Sequence, residues 1–300
     1  MHIKKANRSS RAKSKTNKVK KMTSKTLKQK IVRFRLSNKA LAIPVTFFML
    51  FVSLFAIVSV TYYFAVSKVN TKSQTLKISV AKQNTDSLEE ILQFVVWQPG
   101  SSKTFEFDDC GGTLKTEPSA NRLLINITDN INIADVVFNA SVGGVIYELP
   151  YSESADTGLY LKGDSRVVVN QSGSIMTQLY IENGEEHPEI VLRYRPMVSS
   201  VVLGTENGKP VNNVRIYIVN LNSSQNLELM GKIPLKISCL NVETSINSYN
   251  VSYSLNALIV KISLDGLQGQ VSVPISSNVD GAIINVELVV CNIKTEWWER

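Results

Sequence analysis

The sequence has few of the residues that enzymes most often use for catalysis. Its 300 residues include only two histidines, His2 and His187, and three cysteines. A Ser–His–Asp or Cys–His arrangement outside the basic N-terminal segment would depend on His187 alone, which lies in a polar stretch typical of a solvated loop. A zinc site needs Cys and His ligands at close spacing, and this pattern is absent from the sequence. We therefore expect no enzyme, and no catalytic, cofactor-binding or metal-binding residues.

Acidic residues are absent from positions 1–39, which hold 15 lysines and arginines. Residues 69–300 hold 17 basic and 25 acidic residues, so the net charge of +8 describes neither part and excludes a single basic domain. We expect residues 1–39 to form a disordered cytoplasmic arm that binds anionic lipid headgroups. Nucleic acid would attract the same lysines, but only Phe34 supplies an aromatic ring among them, so we expect no nucleic-acid partner.

Charge of either sign is also absent from residues 40–67, a run of 28 residues. A helix needs about 20 predominantly apolar residues to cross a bilayer, whereas the hydrophobic part of a secretory signal has only about 7 to 15. The run therefore predicts a transmembrane helix, with a buried core helix as the alternative. Because basic flanks stay on the cytoplasmic side, the N-terminus is expected in the cytoplasm and residues 69–300 outside the cell. Pro44 is expected in the first turn, where its missing N–H is tolerated.

The tetrapeptide Lys39-Ala40-Leu41-Ala42 stands directly before this hydrophobic run. It resembles the processing site of archaeal type IV pilin-like and archaellin-like precursors. The resemblance implies cleavage between Ala40 and Leu41, and self-assembly or contact with other pilin-like subunits. If the chain is not cut, the same residues form the cytoplasmic end of a permanent anchor.

Residues 68–98 are expected to form a helical stem on the outer side. Apolar residues recur there at partly helical spacing, although Leu76, Ile78 and Val80 also alternate as in a strand. Residues 86–96 give the firmer helix, with Thr85 or Asp86 as its N-cap and Pro99-Gly100 as its stop.

From about Thr104 onward, apolar residues alternate with polar ones in short runs. This period predicts antiparallel β-sandwich architecture, in one module or in two modules that cover residues 99–186 and 187–300. Four dipeptides between runs suit tight hairpin turns, because their residues tolerate positive φ: Asn183-Gly184, Asn207-Gly208, Asp265-Gly266 and Asp280-Gly281. The expected fold class is mainly β with one long N-terminal helix, a transmembrane helix and stem followed by one or two sandwich modules.

The best candidate for a disulfide is Cys239 with Cys291, because both lie at strand ends in the same half of the outer region. Strand parity argues against the pair, since Cys291 shares its face with Asn285 and Glu287 unless a bulge intervenes. A buried free thiol is the alternative for each cysteine.

Glycine pairs mark two further predicted turns. Cys110-Gly111-Gly112 and Gly143-Gly144 lack the lysine and the strand-to-helix context of a phosphate-binding loop, so both are expected to be turns.

These features together predict a single-pass membrane-anchored surface protein. The protein would be a pilin-like structural or accessory component that displays its β modules outside the cell. Its partner would be the lipid bilayer. The alternative is a permanently anchored extracytoplasmic binding module, such as an adhesin or a receptor-like protein. A hydrolase that uses Asp108 and Asp109 is the third alternative.

Overall fold

The computed structural model describes residues 38–150, 157–171 and 175–299. It has one long helix, α1 (Asn38–Val95), followed by strands, which confirms the predicted fold class. Most of the basic arm lies outside the described residues. The strands, in chain order, are β1 (Ser102–Phe107), β2 (Thr113–Thr128), β3 (Ala134–Glu148), β4 (Tyr160–Lys162), β5 (Val169–Asn170), β6 (Thr177–Asn183), β7 (Pro188–Tyr194), β8 (Met197–Glu206), β9 (Lys209–Asn220), β10 (Leu227–Met230), β11 (Ile233–Val251), β12 (Ala257–Leu264), β13 (Leu267–Pro274) and β14 (Ala282–Trp297).

Helix α1 is continuous, which corrects two expectations. Pro44 lies inside the helix rather than in its first turn, because the helix begins at Asn38. The helix is not newly capped at Thr85 or Asp86; the Thr85 hydroxyl instead donates to the Ala81 carbonyl at 2.9 Å, a bond typical of a helix interior. The expected stop is confirmed, since α1 ends at Val95, just before Pro99-Gly100.

The described residues fall into two compact units, which divide between Asn70 and Thr71. The second unit, called the β unit below, contains the last part of α1 and two sheets. The first sheet has the order β1-β11-β14-β9-β8-β5, and the second has the order β13-β12-β2-β3-β7-β6-β4 with β10 attached to β2. The predicted module boundary at residues 186 and 187 falls between β6 and β7, which pair with each other.

Four strands are longer than the short runs expected from the sequence. β2, β3, β11 and β14 have 15 to 19 residues each, and each contributes to two separate cores. The helix core contains Leu88, Leu92, Leu114, Tyr147, Ile237 and Ile293. The far core contains Ile125, Val142, Ile216, Val260, Val286 and Val290.

The two cores lie on opposite faces of the first sheet. Val290 belongs to the far core and the next residue, Cys291, to the helix core, and both are buried. Successive residues of a strand point to opposite faces, and the register between β14 and β9 is unbroken here. Ile218 and Val219 on β9 make the same change of face at the same level of the sheet.

Two of the predicted hairpin turns are confirmed. Asn207-Gly208 and Asp265-Gly266 have positive φ at both residues and join β8 to β9 and β12 to β13, as a two-residue turn of type I′ requires. Asn183-Gly184 instead begins a longer loop between β6 and β7, and Asp280-Gly281 directly precedes β14.

The prediction of a turn at Gly143-Gly144 is wrong, because both residues lie inside β3. A Cβ atom on Gly143 would lie 2.7 Å from the carbonyl oxygen of Leu221. Glycine is therefore needed here for close approach of two backbones rather than for a change of direction.

Candidate membrane anchor and β-unit surface

The first part of α1 exposes apolar side chains around its whole circumference. Every large apolar side chain from Ile43 to Val66 is exposed, including five phenylalanines. The described residues contain one helix that is long and apolar enough to cross a membrane, Ile43–Val95. Exposed apolar surface of this extent is costly in water and is stable in lipid.

The hydroxyl groups in this apolar segment bond within the helix. Each donates to a carbonyl three or four residues earlier, so it needs no water partner in hydrocarbon. The bonds are Thr46 to Ile43, Ser53 to Leu50, Ser59 to Phe55 and Thr61 to Ile57, at 2.8 to 2.9 Å. The segment is thus compatible with a bilayer in its polar atoms as well as in its apolar ones.

The residues of the predicted processing site, Lys39, Ala40 and Leu41, lie in the first turns of α1. Cleavage after Ala40 stays a prediction.

A buried charge cluster joins the last part of α1 to strands β4 and β6 within the β unit. The Glu89 side chain is only 1% exposed, and its carboxylate accepts hydrogen bonds from Lys162 Nζ at 2.7 Å and from the Thr177 hydroxyl at 2.5 Å. Gln93 donates to the same carboxylate, and Lys162 also pairs with Asp86 at 2.6 Å. Burial lowers the pKa of Lys162, but the two carboxylates outweigh it and the net shift is upward. Lys162 therefore stays charged and joins α1 to β4, while Thr177 joins it to β6.

The structure brings the two cysteines of the predicted disulfide together as free thiols. The Cys239 and Cys291 sulfur atoms are 3.5 Å apart and both residues are buried. Cys291 does share the strand face of Asn285 and Glu287, but this face is covered in the helix core. A β-bulge between Cys239 and Asn241 lies at the level of the sheet where the two sulfur atoms meet.

We expect Cys239 and Cys291 to be bridged in protein from an oxidising compartment. Burial raises the pKa of the Cys291 thiol, so little thiolate forms in the folded chain and the bridge should form during folding, by exchange with a disulfide oxidoreductase. A bridge between residues 52 apart is worth about 4 kcal/mol in the chain-entropy account. Alkylation of the denatured, unreduced protein should then modify one thiol, Cys110. Modification of two thiols is expected in Cys239→Ser, and modification of all three in the wild type would contradict the bridge.

The remaining candidates for chemistry are not brought together. His187 lies in the loop between β6 and β7. Cys110 is buried in the predicted turn between β1 and β2, where its sulfur is 3.3 Å from the Asn84 amide nitrogen. Asp109 accepts a hydrogen bond from the Gly111 N–H, as a turn residue does. Within the described ranges, His, Cys, Asp and Glu side chains form no group of three or more that could hold a metal ion.

A cleft of about 730 Å³ opens between β3 on one side and β11 and β14 on the other. Phe138 and Ala140 form one wall, and Leu288 and Val290 contribute apolar surface. Several polar side chains also line this cleft.

Three asparagines and one glutamate form a hydrogen-bonded row across the first sheet in this cleft. Asn220 donates to Asn292 at 3.2 Å, Asn292 to Asn241 at 2.7 Å, and Asn241 to Glu243 at 2.9 Å. Sequence analysis missed this row because its members come from β9, β14 and β11. Only the strand order places them side by side.

Comparison with protein-family models, with curated proteins and with solved structures gave no match.

Proposed function

We propose that the chain is a single-pass membrane-anchored surface protein, with its N-terminus in the cytoplasm and its β unit outside the cell. One observation carries this proposal: α1 exposes every large apolar side chain from Ile43 to Val66, and this uncharged segment follows a segment of 15 positive charges without an acidic residue. Lipid would cover the apolar surface, and the basic flank sets the orientation. Anionic headgroups would hold the arm at about 1 kcal/mol per near-surface charge.

Within this class, a pilin-like structural or accessory component is the function that the features favour. The basic, small and apolar residues Lys39, Ala40 and Leu41 stand at the start of a helix that continues from the apolar segment into the β unit. In such a component the apolar segment serves for anchoring and for packing against like segments, and the β unit is displayed.

Labelling of engineered cysteines tests the orientation. The three native cysteines are buried, so Gln74→Cys, at an exposed stem position, and Ser10→Cys, in the basic arm, would each provide one accessible thiol. In intact cells a membrane-impermeant maleimide should label the variant at position 74 and leave that at position 10 unlabelled. After the membrane is permeabilised, a chain with an uncut leader should react at both positions, whereas a chain cut after Ala40 should react at position 74 alone. The reverse pattern in intact cells would overturn the proposed orientation.

Mass analysis of the N-terminus tests the pilin-like assignment. A mature chain that begins at Leu41 is the expected result, and it would have lost all 15 positive charges of the leader. An intact arm in the native membrane protein would remove the main support for this assignment and leave the anchor unchanged.

An anchored binding module is the second candidate, and the cleft with its asparagine row favours it. Amide groups fixed by neighbouring amides present donors and acceptors in set directions beside apolar surface, as ligand sites commonly do. This candidate predicts the uncut chain, so the same mass analysis separates the two.

A further inference from the structure

Strand β11 has a long outer edge without a backbone partner. On one side, β11 pairs with β14 from Leu235 to Val251. On the other side, β1 pairs only with residues 233–238. Among the residues that the structure describes, backbone hydrogen bonds to this outer side end at Cys239, which bonds with Gly100 and Ser101. Residues 241–251 therefore form a free edge of 11 residues, called the β11 edge below.

The middle of the β11 edge is also exposed on both faces. Residues 243–248 are all exposed, although successive residues of a strand point to opposite sides. Ile246, at the midpoint of the edge, is 61% exposed. Strand β3 faces residues 243–245 only across the open cleft, so it leaves this part of the strand exposed.

The β11 edge lacks the features by which sheet proteins usually prevent edge-to-edge pairing. Residues 241–251 contain no lysine, arginine or proline, and their single charged residue is Glu243. Their register with β14 runs without a bulge. The exposed edge of β8 differs, because a bulge interrupts it between Val202 and Gly204. Unprotected edges of this length are templates for another strand.

The sequence of the β11 edge is complementary to itself in one antiparallel register. If Ile246 faces Ile246 of a second copy, Thr244 faces Ser248 and Glu243 faces Tyr249. An exposed apolar pair then forms at the centre, hydroxyl residues meet beside it, and the charged residue does not face its own copy. This register uses the whole edge, because Ile246 is the midpoint of residues 241–251.

We propose that two copies of the chain pair antiparallel along the β11 edge, centred on Ile246, so that their first sheets join into one continuous sheet. The occupant is a second copy because the edge complements its own sequence. A two-fold axis relates the copies, as isologous interfaces require. The proposal does not depend on which side of the membrane the β unit occupies.

Single-cysteine cross-linking of the full chain in detergent micelles tests this interface. Because the native cysteines are buried, Ile246→Cys provides one exposed thiol, which would lie opposite its own copy. Mild oxidation with copper phenanthroline should give disulfide-linked dimer as the main product. Asn247→Cys is the matched control on the same strand, since residue 247 would face Ser245 and lie on the other side of the sheet. Val202→Cys, at the exposed β8 edge, controls for random collisions. Both controls should give at least about tenfold less dimer at equal time.

A charge variant supplies the second measurement. Ile246→Lys would place two ammonium groups opposite each other, whereas Val202→Lys adds the same charge at a distant edge. Sedimentation should show at least about a tenfold weaker dimer for the first variant and no change for the second. Equal cross-linking of all three cysteine variants, no cross-linking of Ile246→Cys, or equal sedimentation of both lysine variants would each overturn the proposal. Orientation labelling in cells would be unaffected by any of these results.

Discussion

Leu88→Ala is expected to lower the free energy of unfolding of the β unit by about 2 to 5 kcal/mol. Leu88 is on the last part of α1, is completely buried and packs in the helix core with strands of both sheets. Truncation removes buried apolar surface and leaves a cavity that a helix fixed by the Glu89 cluster cannot easily close. Guanidinium unfolding of the full chain in micelles measures the loss. Tryptophan fluorescence follows the unfolding, because Trp97 packs edge to face with the Tyr217 ring in the folded chain.

Leu76→Ala is the matched control, because Leu76 lies on the same helix and is 65% exposed. Its effect should stay within about 0.5 kcal/mol. Similar losses in the two variants would contradict the packing of the stem helix into the core.

Lys162→Met is the second substitution with a large expected effect, a loss of about 3 to 5 kcal/mol. It leaves the Glu89 carboxylate buried and without a cation, with hydrogen bonds from Thr177 and Gln93. Lys232→Met removes a lysine from a surface pair with Glu106 and should cost less than about 1 kcal/mol. The same unfolding measurement compares them.

A second substitution identifies the cause of this loss. In Lys162→Met the Glu89 carboxylate is a buried charge without a cation, which is costly in a protein interior. Adding Glu89→Gln removes that charge and should restore much of the loss in the same unfolding measurement. A deficit that is unchanged by Glu89→Gln would show that the lysine acts through packing alone.

Local patterns in the sequence predicted a large part of the fold. The uncharged run predicted the apolar segment of α1, because absence of charge over 28 residues needs no tertiary information to interpret. Asn207-Gly208 and Asp265-Gly266 predicted their hairpins for a similar reason, since positive φ is a property of the residues themselves. The N-cap expected at Thr85 or Asp86 was wrong because a hydroxyl that caps a helix also bonds well inside one.

Features that depend on distant parts of the chain could not be predicted in this way. The alternation of side chains along β14 correctly placed Cys291 on the same strand face as Asn285 and Glu287. The sequence does not show, however, that α1 covers this face at one end of the sheet. The need for glycine at position 143 comes from the backbone of Leu221, which is 78 positions away in the sequence and approaches Gly143 only in the fold. From the sequence alone, the glycine pair suggested a turn. The asparagine row and the β11 edge likewise exist only through the strand order.

The change of buried face along β14 also has a consequence for how the chain avoids misfolding. In an ordinary sandwich strand, a slip by one residue against its neighbours exposes one set of core side chains. In β14, the same slip would turn Val286 and Val290 out of one core and Cys291 and Ile293 out of the other. A misregistered conformer would lose both cores together, which separates it from the native state by a wider energy gap.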